Sequence, residues 1–298
     1  MNRIFWRSKE GAHPPNGAHF FLQPFIGDLT PLSGQIITSL PSPSDPLTFK
    51  KRIDQPTRGQ WRQMVEKALE QIEKNVLQKV VLARKTTFFL STAPDPFRIA
   101  AALEKKAQGA SLFCIELDSS AFLGASPERL FRRQEQNLFV DVLAGTAKQG
   151  KTLSEKDFRE FKFVEEYFKE FQFTPPSIHK TANLEHFYSR GTALLQQNIS
   201  DHDLVKALHP TPALCGTPKQ TALDWIESEE PFRRGLYGGV IGWSKENQAD
   251  STVCIRCCHV EGSTVHCYTG AGIVAGSDWQ VEWEELEAKL SLYEGIFL

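Results

Sequence analysis

The sequence predicts an α+β fold with antiparallel sheet, on two observations. Strand-like and helix-like stretches come partly in separate runs rather than in strict alternation. Late in the chain, the strand-like runs Ser251–Val260 and Thr264–Gly270 are joined by Glu261-Gly262-Ser263, a short turn of the kind that connects antiparallel strands.

The elements follow in order. Residues 1–56 are irregular in composition, and Leu40-Pro-Ser-Pro-Ser-Asp-Pro46 is rich in turn formers and reads as a connector. The chain therefore divides into a short N-terminal region, 1–56, and a main domain, 57–298. From Gly59 the texture changes. Trp61, Met64, Val65, Ala68, Leu69, Ile72 and Val76 recur at three- and four-residue spacing, the mark of an amphipathic helix. Lys79–Lys85 and Thr86–Leu90 read as one long strand. A short helix over Arg98–Ala107 precedes strand-like runs at Ser111–Leu117, Ala121–Gly124, Arg129–Arg133 and Leu138–Leu143. Ser154 opens a further helix, with Asp157 three residues on as capping-box partner. Two shorter helical patterns flank His209-Pro-Thr-Pro212. Strands at Gly235–Trp243, Ser251–Val260 and Thr264–Gly270 and a helix from about Asp278 to Tyr293 close the chain.

Composition excludes several classes. The 298 residues are 41% hydrophobic and 23% charged, ordinary for a soluble globular protein able to bury a sizeable core. With 34 basic and 36 acidic residues the net charge is −2, and no Lys/Arg block points to nucleic acid. Met1–Pro14 lacks the apolar stretch of a signal peptide, and no span of 18 apolar residues occurs, so a cytoplasmic protein without a membrane partner is expected. Of the six cysteines, Cys254, Cys257, Cys258 and Cys267 cluster around His259 and His266. A zinc knuckle on Cys254-x-x-Cys257 is the sharp reading. On a strand, however, those two side chains point to opposite faces, which favours reduced, metal-free cysteines packed as small hydrophobes.

Four features carry candidate chemistry. Gly270-Ala-Gly-Ile-Val-Ala-Gly276 superficially matches a dinucleotide fingerprint, but only 22 residues remain, too few for the rest of a βαβ unit. What survives is a Gly-rich strand-to-helix turn whose backbone N–H groups meet an anion. Asp157 and Glu160, and Glu282 and Glu285, form carboxylate pairs on two helices. Each suits a solvated helix face, with Glu285–Lys289 an i,i+4 ion pair, or jointly a Mg²⁺ site. Lys79, pointing inward from an apolar strand, would lose basicity through burial and become a usable base; the plain alternative is a strand-edge lysine in solvent. Glu128, in the turn Gly124-Ala-Ser-Pro-Glu-Arg129, is either a buried general acid or the partner of Arg129 or Arg132.

Together these segments resemble the chorismate-binding enzymes: isochorismate, salicylate, anthranilate and aminodeoxychorismate synthases. The likeness runs from about Gly59 to Leu290 through ten segments in order. They are Lys79-Val-Val-Leu-Ala-Arg84, Phe122-Leu-Gly-Ala-Ser-Pro-Glu-Arg-Leu130, Leu143-Ala-Gly-Thr-Ala-Lys-Gln-Gly150, and Ser154-Glu-Lys-Asp157 with Glu160. Next are Asn183-Leu-Glu-His186, His209-Pro-Thr-Pro-Ala-Leu-Cys-Gly-Thr-Pro218 and Gly235-Leu-Tyr-Gly-Gly239. Ile255-Arg256, Gly270-Ala-Gly-Ile-Val274, and Glu282-Trp-x-Glu285 with Lys289 complete the set.

The resemblance implies a two-sheet α/β sandwich with helices outside and the site in a central cleft. It implies Mg²⁺ held by Glu160 and Glu285, with Asp157 and Glu282 in support, and chorismate as substrate. Tyr237, Arg256, Lys289 and the backbone of Gly270, Ala271 and Gly272 would hold the two substrate carboxylates, and Gly145, Thr146 and His186 would meet the ring. Ammonia-using relatives usually carry Gln where Lys79 stands. A lysine there suits water, with Lys79 as base and Glu128 as acid, and the expected product is isochorismate. His209-Pro-Thr-Pro-Ala-Leu resembles the isochorismate synthases more than the salicylate synthases, which go on to eliminate pyruvate. A catalytically silent chorismate-binding relative is the other alternative, and menaquinone, siderophore and salicylate synthesis all stay open as destinations. Two departures stand out: Phe161 replaces the usual His after the metal glutamate, and the region before Lys79 is shorter than in most relatives.

Overall fold

The structure is a computed structural model that describes residues 2–43, 45–181, 184–195 and 199–298. Ser44 of the expected connector and Asn183 of the Asn183–His186 segment lie outside the described residues. Residues 1–56, read as irregular, contain strands β1 (Arg3–Arg7), β2 (His19–Gln23), β3 (Thr30–Leu32), β4 (Gln35–Ile36) and β5 (Phe49–Gln55). Composition concealed them because Ile4-Phe5-Trp6 and Phe20-Phe21-Leu22 are buried on both faces, so no polar–apolar alternation shows.

The remaining elements begin with helix α1 (Arg58–Glu73), strand β6 (Lys79–Leu90), helix α2 (Pro96–Lys106), and strands β7 (Ser111–Leu117), β8 (Ser120–Ser126), β9 (Arg129–Gln134) and β10 (Asn137–Lys148). Helix α3 (Glu155–Tyr167) and strands β11 (Gln172–Phe173), β12 (Ser177–Thr181) and β13 (Leu184–Leu194) follow. Then come α4 (Asp201–Leu208), β14 (Gly216–Thr217), α5 (Lys219–Glu229), β15 (Val240–Lys245), β16 (Gln248–Val253), β17 (Cys257–Glu261), β18 (Thr264–Val274) and α6 (Trp279–Leu290). The predicted helices match α1 to α6 closely. Ser154 caps α3 as expected: its hydroxyl accepts from Asp157 N while the Asp157 carboxylate accepts from Ser154 N.

Among the described residues the strands form two nine-stranded sheets. The first runs β14-β6-β18-β17-β8-β7-β1-β4, with β5 beside β6; the second runs β11-β13-β10-β9-β16-β15-β2-β3, with β12 beside β13. Every pair is antiparallel except β1 with β4. The sheets pack face to face. Trp6, Phe113 and Phe122 of the first meet Phe20, Ile241 and Trp243 of the second, and the Trp6 and Trp243 rings meet edge to face with centroids 6.2 Å apart. The chain is thus an α+β sandwich with helices applied outside it, as expected. Among the described residues no helix is long and apolar enough to cross a membrane.

Two strand readings fail. Gly235–Trp243 is strand only from Val240, the start of β15, because residues 235–238 form a turn. Ser251–Val260 is not a single strand: β16 lies in the second sheet and β17 in the first, and residues 254–256 carry the chain across. Arg256, with φ +49°, makes the turn. The opposite-faces argument about Cys254 and Cys257 therefore rested on a strand that is not there. Both are buried free thiols, and the Cys257 thiol donates to Cys254 O at 3.3 Å.

Candidate active site

A cavity opens between the two sheets, beneath α3 and α6. It is lined by Glu128, Gly145, Thr146, Glu160, His186, Tyr237, Arg256, Gly270, Gly272 and Lys289, ten of the fifteen positions singled out from sequence. Lys79, Asp157, Ala271, Glu282 and Glu285 are not on its wall, although Lys79 touches Glu160, Glu285 touches Lys289 and Asp157 lies against Gly145.

Lys79 opens β6 on the cavity side and is wholly buried, which removes the strand-edge alternative. Its Nζ lies 3.1 Å from Glu160 Oε1. Burial pulls the ammonium below its ordinary range while the charge of Glu160 opposes that pull. Glu128 sits at the β8–β9 turn and is also buried. Burial, helped by the charge of Asp141, pushes its carboxyl up to about 8, so it is protonated at neutral pH. The turn is fixed on both sides. Glu128 O accepts from Thr252 Oγ1 at 2.6 Å and Val253 N at 3.1 Å. Next to it, Arg129 spans Asp250 and Glu10 with paired hydrogen bonds. Arg129 is thus occupied elsewhere, and the alternative of a Glu128–Arg129 pair drops out.

The expectation for the glycine run needs correction. Gly270-Ala-Gly-Ile-Val274 is the interior of β18, paired residue by residue with β6, and α6 starts only at Trp279 behind the Asp278 cap. It is not a strand-to-helix turn. The glycines serve clearance: a methyl group at Gly270 would overlap the Tyr237 hydroxyl, and one at Gly272 would overlap Glu160 Oε1. Strand geometry also separates the three backbones. Ala83 N donates to Glu230 Oε1 and Val81 N to Cys215 O, so both point away from β18. Their partners Gly270 and Gly272 therefore turn N–H away from β6, toward the cleft, whereas Ala271 N–H belongs to the β6–β18 ladder. The Ala271 side chain packs in the core instead.

The cations lie close by. Arg256 is buried in the crossover between sheets, and burial lowers its guanidinium to about 10 against the pull of Glu285. Lys289 Nζ donates to Gly270 O and to Glu285 Oε1, each at 2.6 Å. Tyr237 stacks on Tyr268 with ring centroids 5.3 Å apart. His186 is held between Thr146 Oγ1, 3.1 Å from Nδ1, and Thr181 Oγ1, 3.0 Å from Nε2, and burial keeps it neutral. Gly145 has φ +67°, and a methyl group there would overlap the backbone of Asp157, so the strand and α3 touch at this glycine.

The carboxylates come from α3 and α6. Burial works to raise Glu160, but Lys79, Lys156 and Lys289 outweigh it and hold the carboxyl low. Burial lifts Glu282 to about 7 despite Lys156, whose Nζ is 2.7 Å from Oε1, and neither Glu282 oxygen accepts a hydrogen bond of good geometry. One Asp157 oxygen is committed to the α3 cap. Among the described residues no three His, Cys, Asp or Glu side chains are gathered tightly enough to enclose an ion, and a lysine sits beside each of the three glutamates. The donor chemistry nevertheless suits Mg²⁺: hard carboxylate oxygens, those of Glu282 lacking hydrogen bonds, and space for Glu160 cleared by Gly272. Phe161, in place of the family's usual His, is buried against Phe158 and Phe187, so that position supplies packing and no polar support.

Sequence reasoning missed Lys156, whose only signal was its place between two acidic residues. It also missed β13, which carries His186 in a stretch without clean alternation.

A sandwich with this cleft defines a class, and the comparisons agree. The chain belongs to the chorismate binding enzyme family, whose profile matches residues 32–293. It is 35% identical over 263 residues to isochorismate synthase 2 of Arabidopsis thaliana, covering 80% of this chain and 47% of that one. Among solved structures it resembles MenF, the menaquinone-specific isochorismate synthase of Escherichia coli (TM-score 0.79, 29% identity, 87% of this chain and 66% of that one). It also resembles DhbC of Bacillus anthracis (TM-score 0.81, 27% identity, 94% and 84%). The chain spans less than two thirds of the length of the curated relatives it matches, from 45% to 66%.

Proposed function

We propose that this chain is a Mg²⁺-dependent isochorismate synthase, acting in the cytoplasm on chorismate. One observation carries the reading: a wholly buried lysine at position 79 and a buried carboxyl at position 128 held up to about 8, each within the other's field. Arg256, Lys289 and the N–H groups of Gly270 and Gly272 meet the substrate's two carboxylates, and their hydrogen bonds to charged oxygen are the strong kind. Lys79, in its unprotonated form, takes a proton from the water whose oxygen bonds to C2. The ring double bonds shift, the C4–O bond breaks, and Glu128 gives its proton to the departing hydroxyl. One water enters and one leaves, so the product is an isomer. In the return direction Glu128 acts as base and Lys79 as acid. Mg²⁺, held by Glu160 and Glu285 with Glu282 and Asp157 nearby, would supply positive charge against the C1 carboxylate and against charge developing in the ring.

Incubation with chorismate and Mg²⁺, with chromatographic identification of products, tests the reading. Isochorismate is expected without pyruvate, and formation should stop in excess chelator. Salicylate with pyruvate as the main products, or full activity in chelator, would contradict it.

A further inference from the structure

The three glutamates around the proposed metal position each have a lysine partner. Lys79 Nζ is 3.1 Å from Glu160, Lys156 Nζ 2.7 Å from Glu282, and Lys289 Nζ 2.6 Å from Glu285. Lys79 and Lys289 already have roles as base and as substrate holder. Lys156 has none. It is the second residue of α3, most of its side chain is covered, and its ammonium reaches into the acidic cluster, within the field of Glu160 and Glu285 as well as against Glu282. A surface lysine on a first helical turn would instead avoid the positive end of the helix and stay in water.

We propose that Lys156 is the resident counter-ion of the metal site: it balances the Glu160–Glu282–Glu285 cluster when no metal is bound, and it gives way when Mg²⁺ enters. Without it, buried carboxylates on two facing helices would repel one another across a gap with little water to screen them. With it, the metal-free protein keeps α3 tied to α6 through the Lys156–Glu282 ion pair, and Mg²⁺ must compete with a tethered cation. Lys156 therefore sets the concentration range over which the enzyme loads with metal. It also disfavours monovalent ions, which bring no more charge than the ammonium they would displace. This inference rests on the proposed metal site.

Magnesium titration by calorimetry on the wild type, Lys156→Gln and Lys156→Arg tests it, with thermal melting in chelator alongside. Lys156→Gln should bind Mg²⁺ at least about tenfold more tightly, the scale of removing a weakly screened charge. In chelator it should melt below the wild type. Lys156→Arg, which keeps the charge, should follow the wild type in both measurements. A second readout needs no variant: acetylation of Lys156 in the wild type, followed by mass spectrometry, should speed up several-fold when Mg²⁺ saturates the site. Unchanged or weaker Mg²⁺ binding by Lys156→Gln, or acetylation indifferent to Mg²⁺, would overturn the counter-ion role while leaving the metal site standing. Failure of all three proteins to bind Mg²⁺ would overturn the metal assignment, and this inference with it.

Discussion

At the scale of single residues, the carboxyl of Glu128, the proposed general acid, is costly to the fold once it ionises. Burial raises it from the ordinary 4.5 to about 8, so the folded protein holds a proton that the unfolded chain releases. Stability tied to that proton is complete below about pH 4.5 and is lost as the pH rises through 8. Above that, the folded state must keep a buried anion. Glu128→Gln should therefore melt near the wild type at pH 5 but at a higher temperature at pH 9, by a stabilisation of about 5 kcal/mol. Isochorismate formation by the same variant should fall ~10²–10⁴-fold, the worth of a positioned acid. Equal melting temperatures at pH 9 would show that the carboxyl is not held protonated. Much of this site was legible in sequence as residue types, but burial was not. Lys79 and Glu128 each had a plain surface alternative, and only the packing of β6 and of the β8–β9 turn removes it.

At the scale of elements, two glycines forecast different losses. At Gly272 an added methyl meets the far end of a flexible side chain, Glu160 Oε1. Gly272→Ala should fold and melt close to the wild type, yet bind Mg²⁺ at least about tenfold more weakly, because the displaced carboxylate can no longer be aimed. At Gly145 the obstacle is the backbone of α3 at Asp157, and φ is +67°. Backbone cannot step aside, so Gly145→Ala should cost at least about 2 kcal/mol of stability, read as a lower denaturant midpoint. A stable Gly272→Ala with normal Mg²⁺ affinity would break the link between β18 and the proposed metal position. The helices, with their 3.6-residue periodicity and the Ser154 cap, were readable because those signals are local. The glycine run misled because clearance for Tyr237 and Glu160 is a tertiary demand that looks, in sequence, like a turn.

At the scale of the whole molecule, the N-terminal strands are structural members of both sheets, β1 against β7 and β2 against β15, although composition hid them. Trp6 is buried where the sheets meet, so Trp6→Ala should cost about 3–5 kcal/mol and lower the melting temperature by roughly 10 °C. A negligible shift would mean that this end of the sandwich closes without β1. The crossover at residues 254–256 shows the same limit of sequence reading, since a run that changes sheets looks like one that continues. That crossover also delivers Arg256 to the cleft, so topology and chemistry meet there. On the proposed function, the assembled cleft makes water, not ammonia, the nucleophile through Lys79. The measurement that decides this is the initial rate of isochorismate formation by the wild type, Lys79→Ala and Lys79→Gln under saturating chorismate and Mg²⁺. Both variants should lose ~10²–10⁴-fold, in the return direction as well, while still binding chorismate, and any activity regained by Lys79→Gln should appear only with high ammonium. Near-normal isochorismate formation by Lys79→Ala would show that Lys79 does not activate the water.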